Sequence, residues 1–92
     1  MTQVLERKKT GELQSYGKLI MSVLDAEYPT LTVYELYVKN KRVYKYVRHT
    51  HNGKTLFELY DKCSIEEAHT MISDYSDSPD VTINNLHQEL GY

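Results

Sequence analysis

Four histidines, one cysteine and a set of clustered carboxylates are the side chains here with chemistry of their own. His49 and His51 flank Thr50, so in an extended strand they would share a face and offer two metal ligands. A structural zinc site needs four ligands at recognisable spacing, often thiolates. With a single cysteine, and with His69 and His87 at no fixed relation to the pair, solvated loop histidines are the expectation and no metal is assigned. Cys63 stands just before a helix start, a place that lowers a thiol pKa. No base or oxyanion donor accompanies it, so a structural thiol is expected. Glu66 and Glu67 are adjacent on one helix and point apart, which gives no acid–base pair. The four glycines are isolated, so there is no phosphate-cradling loop. No cofactor is implied, and the expectation is a non-enzymatic protein.

The elements that place these residues are read from periodicity. Residues 32–60, TVYELYVKNKRVYKYVRHTHNGKTLFELY, alternate apolar and polar, are rich in Val and Tyr, and are broken twice by turn residues. That pattern predicts a three-stranded antiparallel meander. An Asn40-Lys41 turn sets Val38 against Val43, Tyr37 against Tyr44, Leu36 against Lys45, Glu35 against Tyr46 and Tyr34 against Val47. The second turn contains Asn52-Gly53 and closes with two or three loop residues. The three-residue form is preferred because it gives one clean core face: Tyr34, Leu36, Val38, Val43, Val47, Phe57 and Leu59, with Lys45 the one charge on it. The opposite face then carries Val33, Glu35, Tyr37, Arg42, Tyr44, Tyr46, Arg48, Lys54, Leu56, Glu58 and Tyr60.

Around the meander, Leu13, Tyr16, Leu19, Ile20, Val23 and Leu24 have helical spacing, which predicts a helix over 12–27 ended by Pro29, with residues 1–10 a frayed arm or its first turns. Ser64 followed by Glu67 is a capping box, so a helix over 64–75 should cross the core face beside the first helix. For 78–90, Ser78-Pro79 and Gly91 argue a helix, while Val81-Thr82-Ile83 argues a short strand; a strand running into a helix is the favoured reading. The fold class is therefore α+β: a three- or four-stranded antiparallel sheet with two or three helices mainly on one face. Ninety-two residues make one small domain, to which dimerisation would add burial.

Charge is segregated. Residues 39–54 hold six basic residues and no acidic one, and residues 55–92 hold eight acidic residues and one lysine. This marks either a partner surface or two halves that attract each other within the fold. Arg7-Lys8-Lys9 is not followed directly by an apolar run, and the apolar positions from 19 to 24 are too few to span a bilayer, so no signal peptide or membrane segment is expected. One cysteine fits a reducing cytoplasm.

Tyrosine mixed with arginine on an open sheet face is the composition of a protein-binding surface. Tyr37, Tyr44, Tyr46 and Tyr60 would supply contact area, and Arg42, Arg48 and Glu35 directional bonds. The same face would stack single-stranded nucleic acid, although Glu35, Glu58 and the acidic chain oppose it. A third reading has the tyrosines flanking a Glu35–Arg48 ion pair on an ordinary strand surface, or covered by the N-terminal segment. The acidic residues Glu66, Asp74, Asp77 and Asp80 are an alternative surface that would imitate phosphates.

The order of a Tyr-bearing hairpin, an Asn52-Gly53-Lys54 turn, a third strand ending in Asp61 and a Ser-Ile-Glu-Glu helix start resembles the small phage-encoded anti-CRISPR proteins that pack two helices on an antiparallel sheet. The resemblance spans about residues 33–75. It implies stoichiometric binding to a host protein complex in the host cytoplasm, with inhibition as the result, and transfers no individual residue.

Overall fold

The computed structural model describes residues 16–92. Four strands run in chain order, β1 (Lys18–Glu27), β2 (Thr30–Lys39), β3 (Arg42–His51) and β4 (Lys54–Lys62), followed by α1 (Ile65–Tyr75) and α2 (Pro79–Leu90). The sheet is an antiparallel meander in the order β1-β2-β3-β4, and the class is α+β.

The first hairpin of the expected meander is present in the expected register, with Val38 opposite Val43 and Glu35 opposite Tyr46. Asn40 and Lys41 both have positive φ (54° and 60°), the mirror-image turn that matches strand twist. Lysine is a poor choice at such an angle. Its chain lies along Gly91 at the C-terminal end of α2, where unpaired carbonyls favour a cation. The second hairpin reaches the expected faces by another route. Its loop is the two-residue Asn52-Gly53 form, because His51 pairs with Lys54. Register then shifts between Thr50↔Thr55 and His49↔Phe57, so Leu56 is one residue too many. That bulge returns Leu59 to a place opposite Val47, which is the face assignment expected from the longer loop.

Two expectations are corrected. Residues Lys18–Glu27 are a strand, not a helix, and the Tyr28-Pro29 turn, with its cis peptide, leads straight back into β2. Register shifts between Leu19 and Met21, which leaves Ile20 as an extra residue beside inward-facing Met21. A bulge that turns neighbouring residues inward breaks the period of two and mimics helical spacing. Leu19 and Leu24, expected on the buried stripe, are 49% and 60% exposed. Residues 1–10 and the 12–15 part of that expected helix lie outside the described residues. The second correction is Val81-Thr82-Ile83, which belongs to α2 and forms no strand.

Both helices pack on the Leu36, Val38 and Val43 face. Ala68 and Ile72 of α1, and Leu86 and Leu90 of α2, close the core there with Met21. The neighbour of α1 on that face is thus α2, not a helix from the N-terminal region. Ser64 Oγ accepts the Glu67 backbone N–H at 3.0 Å, half of the expected capping box. The Glu67 carboxylate turns away and pairs with Lys45, which neutralises the one charge on the core face. Ser64→Ala is therefore expected to cost about 0.5–2 kcal/mol, seen as a lower urea midpoint with an unchanged slope.

Candidate functional site

The face away from the helices is organised by Tyr16. This residue is buried, and its ring lies 4.1 Å from that of Tyr60, 5.4 Å edge-on from Tyr37 and 6.2 Å from Tyr46. The Tyr60 hydroxyl donates to the Tyr16 carbonyl at 3.1 Å. Tyr46 is fully buried beneath this group, and its hydroxyl donates to Glu58 Oε2 at 2.6 Å. Glu58 is 7% exposed, and its Oε1, like Arg48 Nε on the neighbouring strand position, has no hydrogen-bond partner among the described residues.

These positions revise the expected binding set. Tyr46 is a core residue and offers no area to a partner. Tyr37 and Tyr60 are half-buried, with Tyr16 against them. The covered-tyrosine reading holds for the centre of the face. Glu35 makes no ion pair with Arg48; its carboxylate accepts Tyr37 OH at 2.6 Å and Ser22 Oγ at 2.7 Å, which holds it within the sheet.

What stays available is the end of this face nearest the β2–β3 turn. Tyr44 stacks on Tyr60 with centroids 5.3 Å apart and planes 3° from parallel; it is partly buried, as Tyr37 and Tyr60 are, but lies outside the cluster around Tyr16 and Tyr46. Strand alternation places Lys39, Arg42 and Lys62 on the same face, since Lys39 pairs with Arg42 and Tyr44 with Lys62. None of the three has an ion-pair partner among the described residues, whose recorded pairs are Lys45–Glu67 and Lys18–Glu89. Of the six cations in residues 39–54, Lys45 alone has an ion-pair partner among the described residues. Within the described residues, attraction between the two halves therefore leaves most of the basic charge unpaired. Around the corner of the sheet, Lys41, Arg42 and Lys62 rim a groove of about 220 Å³ with Val43, Ile65 and Leu90 in its lining. One ring, several cations and an apolar recess form a surface suited to an anionic partner.

Comparison with known proteins gave no match. No family model fits the chain, and no curated protein or solved structure is significantly similar to it.

The other candidate residues lie elsewhere. His49 and His51 do share a face, but each is held by a cross-strand threonine, Nδ1 lying 2.8 Å from Thr32 Oγ1 and 3.1 Å from Thr30 Oγ1 respectively. His69 and His87, unrelated by sequence spacing, meet with their Nε2 atoms 3.0 Å apart. The acidic residues do not make a continuous array. Glu66 stands in the first turn of α1, about 12 Å along the axis from Asp74, while Asp74, Asp77 and Asp80 are exposed around the α1–α2 junction.

Cys63 is half-buried, and burial first, then Glu67, pushes its thiol from 9.0 up to about 11, against the opposing pull of Lys45. Ser64 already satisfies a first-turn amide of α1, so the expected thiolate-stabilising environment does not form. Tyr60, mainly through burial, and Tyr34, mainly through its hydrogen bond to Tyr75, are each raised from 10.0 to about 12. Above pH 9 the unfolded chain gives up these protons before the folded one does. The unfolded state then binds fewer protons, and stability falls as pH rises. The urea midpoint is expected to drop between pH 9 and pH 12, and Cys63→Ser should remove the slope between 9 and 10 and lessen it up to about 11, where Tyr34 and Tyr60 still contribute.

Proposed function

We propose that this chain is a non-enzymatic binding module that docks an acidic segment of a protein partner against the turn end of its tyrosine face. The observation that carries this reading is the set Lys39, Arg42 and Lys62 around partly buried Tyr44, with no carboxylate paired to any of the three cations among the described residues. The adjoining groove would take an apolar side chain over Val43, Ile65 and Leu90, which favours a peptide segment over a bare polyanion. The net charge of −2 also gives no long-range pull on nucleic acid. The resemblance to small phage inhibitors supplies a role for such docking, the stoichiometric block of a host complex.

A second reading rests on the same ring. Tyr44 offers a face for one base, and the three cations reach its flanking phosphates. The two readings separate on salt. Three phosphate contacts on a single strand give a log–log slope of about −2 through release of condensed counterions, whereas a short acidic segment carries no condensed counterions and weakens with salt by screening alone, which is shallower.

The test is a pull-down from nuclease-treated lysate of the native host, wild type against Arg42→Glu/Tyr44→Ala. Both baits should fold, because Arg42 is exposed and Tyr44 is only partly buried. A protein held by the wild type and lost by the variant is expected. Nucleic acid recovered when nuclease is omitted, with the steep salt slope, would install the second reading. Equal retention by both baits would move the site off this surface.

A further inference from the structure

The two helices meet through a pair of imidazoles that the binding surface does not use. His69 on α1 and His87 on α2 point the same atom, Nε2, at each other across 3.0 Å. Both rings are partly exposed, and their centroids are 5.2 Å apart. The Tyr92 ring also lies beside His87, with centroids 5.2 Å apart. Neutral imidazole presents a lone pair on one nitrogen, and that lone pair is what a transition metal binds.

We propose that His69 and His87 form a two-ligand site for a divalent transition ion, with water completing the coordination shell. Metal–imidazole bonds are about 2.0–2.1 Å long. Two such bonds ending on nitrogens 3.0 Å apart enclose an angle of about 94°. That is close to the right angle between adjacent ligands of a square-planar or octahedral centre, and well short of the tetrahedral angle zinc prefers. The ion class is therefore that of Ni²⁺ and Cu²⁺, which take imidazole in tetragonal geometry. The nitrogens are at the spacing of adjacent ligands, but centroids 5.2 Å apart put the two lone pairs nearly on one line, so both rings have to turn before they converge on an ion. Open solvent beside both rings supplies the remaining ligands. Among the described residues no third His, Cys, Asp or Glu joins the pair, so affinity rests on these two ligands alone. Bound, the ion ties α1 to α2 at their exposed seam.

The test is a titration of the untagged, chelator-stripped chain with Ni²⁺ and with Zn²⁺, above the imidazole titration range, followed by calorimetry and by the imidazole ring signals in NMR. One ion per chain is expected, with Ni²⁺ tighter than Zn²⁺ and a higher melting temperature in its presence. His69→Gln and His87→Gln should each weaken Ni²⁺ on the order of 100-fold, because the second ligand no longer acts at high effective concentration. A His49→Ala/His51→Ala variant should bind as the wild type does, and Zn²⁺ should shift the ring signals of His69 and His87. Affinity unchanged in either Gln variant, loss in the His49/His51 variant, a preference for Zn²⁺, or no saturable binding by the folded chain would each overturn the proposal. Retained far-UV spectra in the Gln variants separate a lost ligand from a lost fold.

Discussion

Tyr46→Ala is expected to be the most damaging single change on the tyrosine face, costing about 3–5 kcal/mol, the range for truncating a buried aromatic. A domain of this size has a total stability of about 5–15 kcal/mol, so the variant sits at or near unfolding at room temperature. The reason is that Tyr46 has no exposed surface and lies under Tyr16, with its hydroxyl on a carboxylate that is itself buried. Tyr46→Phe keeps the ring and removes the donor to Glu58, at an expected cost of about 1–3 kcal/mol. Two strand positions away, Tyr44→Ala loses mainly its stack on Tyr60 and should cost about 0.5–1.5 kcal/mol. Urea titration of the three variants checks the order Tyr46→Ala, Tyr46→Phe, Tyr44→Ala. An equal effect of the two alanine changes would mean that Tyr46 is not the buried member. The same contrast explains why a binding test must use Tyr44 and leave Tyr46 alone.

Gly17→Ala carries the second large effect. Gly17 has φ of +95°, which an L side chain rarely adopts, and a Cβ there would lie 2.4 Å from the Val38 carbonyl oxygen and 2.8 Å from Lys39 Cβ. The backbone angle alone accounts for about 1–3 kcal/mol, and the overlap with main-chain atoms of β2 adds to it. The local remedy is to pull Gly17 away from β2, which draws Tyr16 off Tyr46 and Tyr60. The expected result is a melting temperature lower by roughly 10 °C for about 2 kcal/mol. A loss of near-ultraviolet tyrosine dichroism should accompany it. A variant with the wild-type melting temperature and dichroism would show that the close approach to Val38 is not required.

How much of this was legible in the sequence depended on whether the deciding contacts were local. The β2–β3 register follows from Asn40, a turn residue at the point where two alternating runs meet, and it came out residue for residue. The side that Leu59 takes was legible because it had to join Val43 and Val47, but Phe57, expected in the core, is 51% exposed, Glu58, expected on the open face, is buried, and the Leu56 bulge leaves no strong mark. At β1 the bulge beside Met21 erased the period of two. The remaining signal was composition, since Ile20 and Val23 are β-branched, and position, since a strand starts right after the Tyr28-Pro29 turn and needs a partner. The site was less legible still. A free tyrosine face was a reasonable inference from alternation, but which ring is covered depends on Tyr16, 30 positions before Tyr46, and local patterning cannot express that contact. His69 and His87 come together through the packing of α1 on α2, and no spacing rule links positions on two separate helices.

The strict chain order of the sheet also bears on how fast and how safely the molecule folds. Each strand pairs with the one just made, so every hairpin closes a loop of only two residues before the next strand is needed. Low separation between pairing partners favours rapid folding, and a sheet of this kind is able to zip up one strand at a time from its N-terminal edge. The helices come last in the chain, however. A ribosome making about 5–20 residues per second needs seconds to deliver residues 65–90 after β4 is complete. During that interval Leu36, Val38 and Val43 face water, with no helix yet available to cover them. The slow and aggregation-exposed moment in the life of this chain is thus the wait for α1 and α2, and not the building of the sheet.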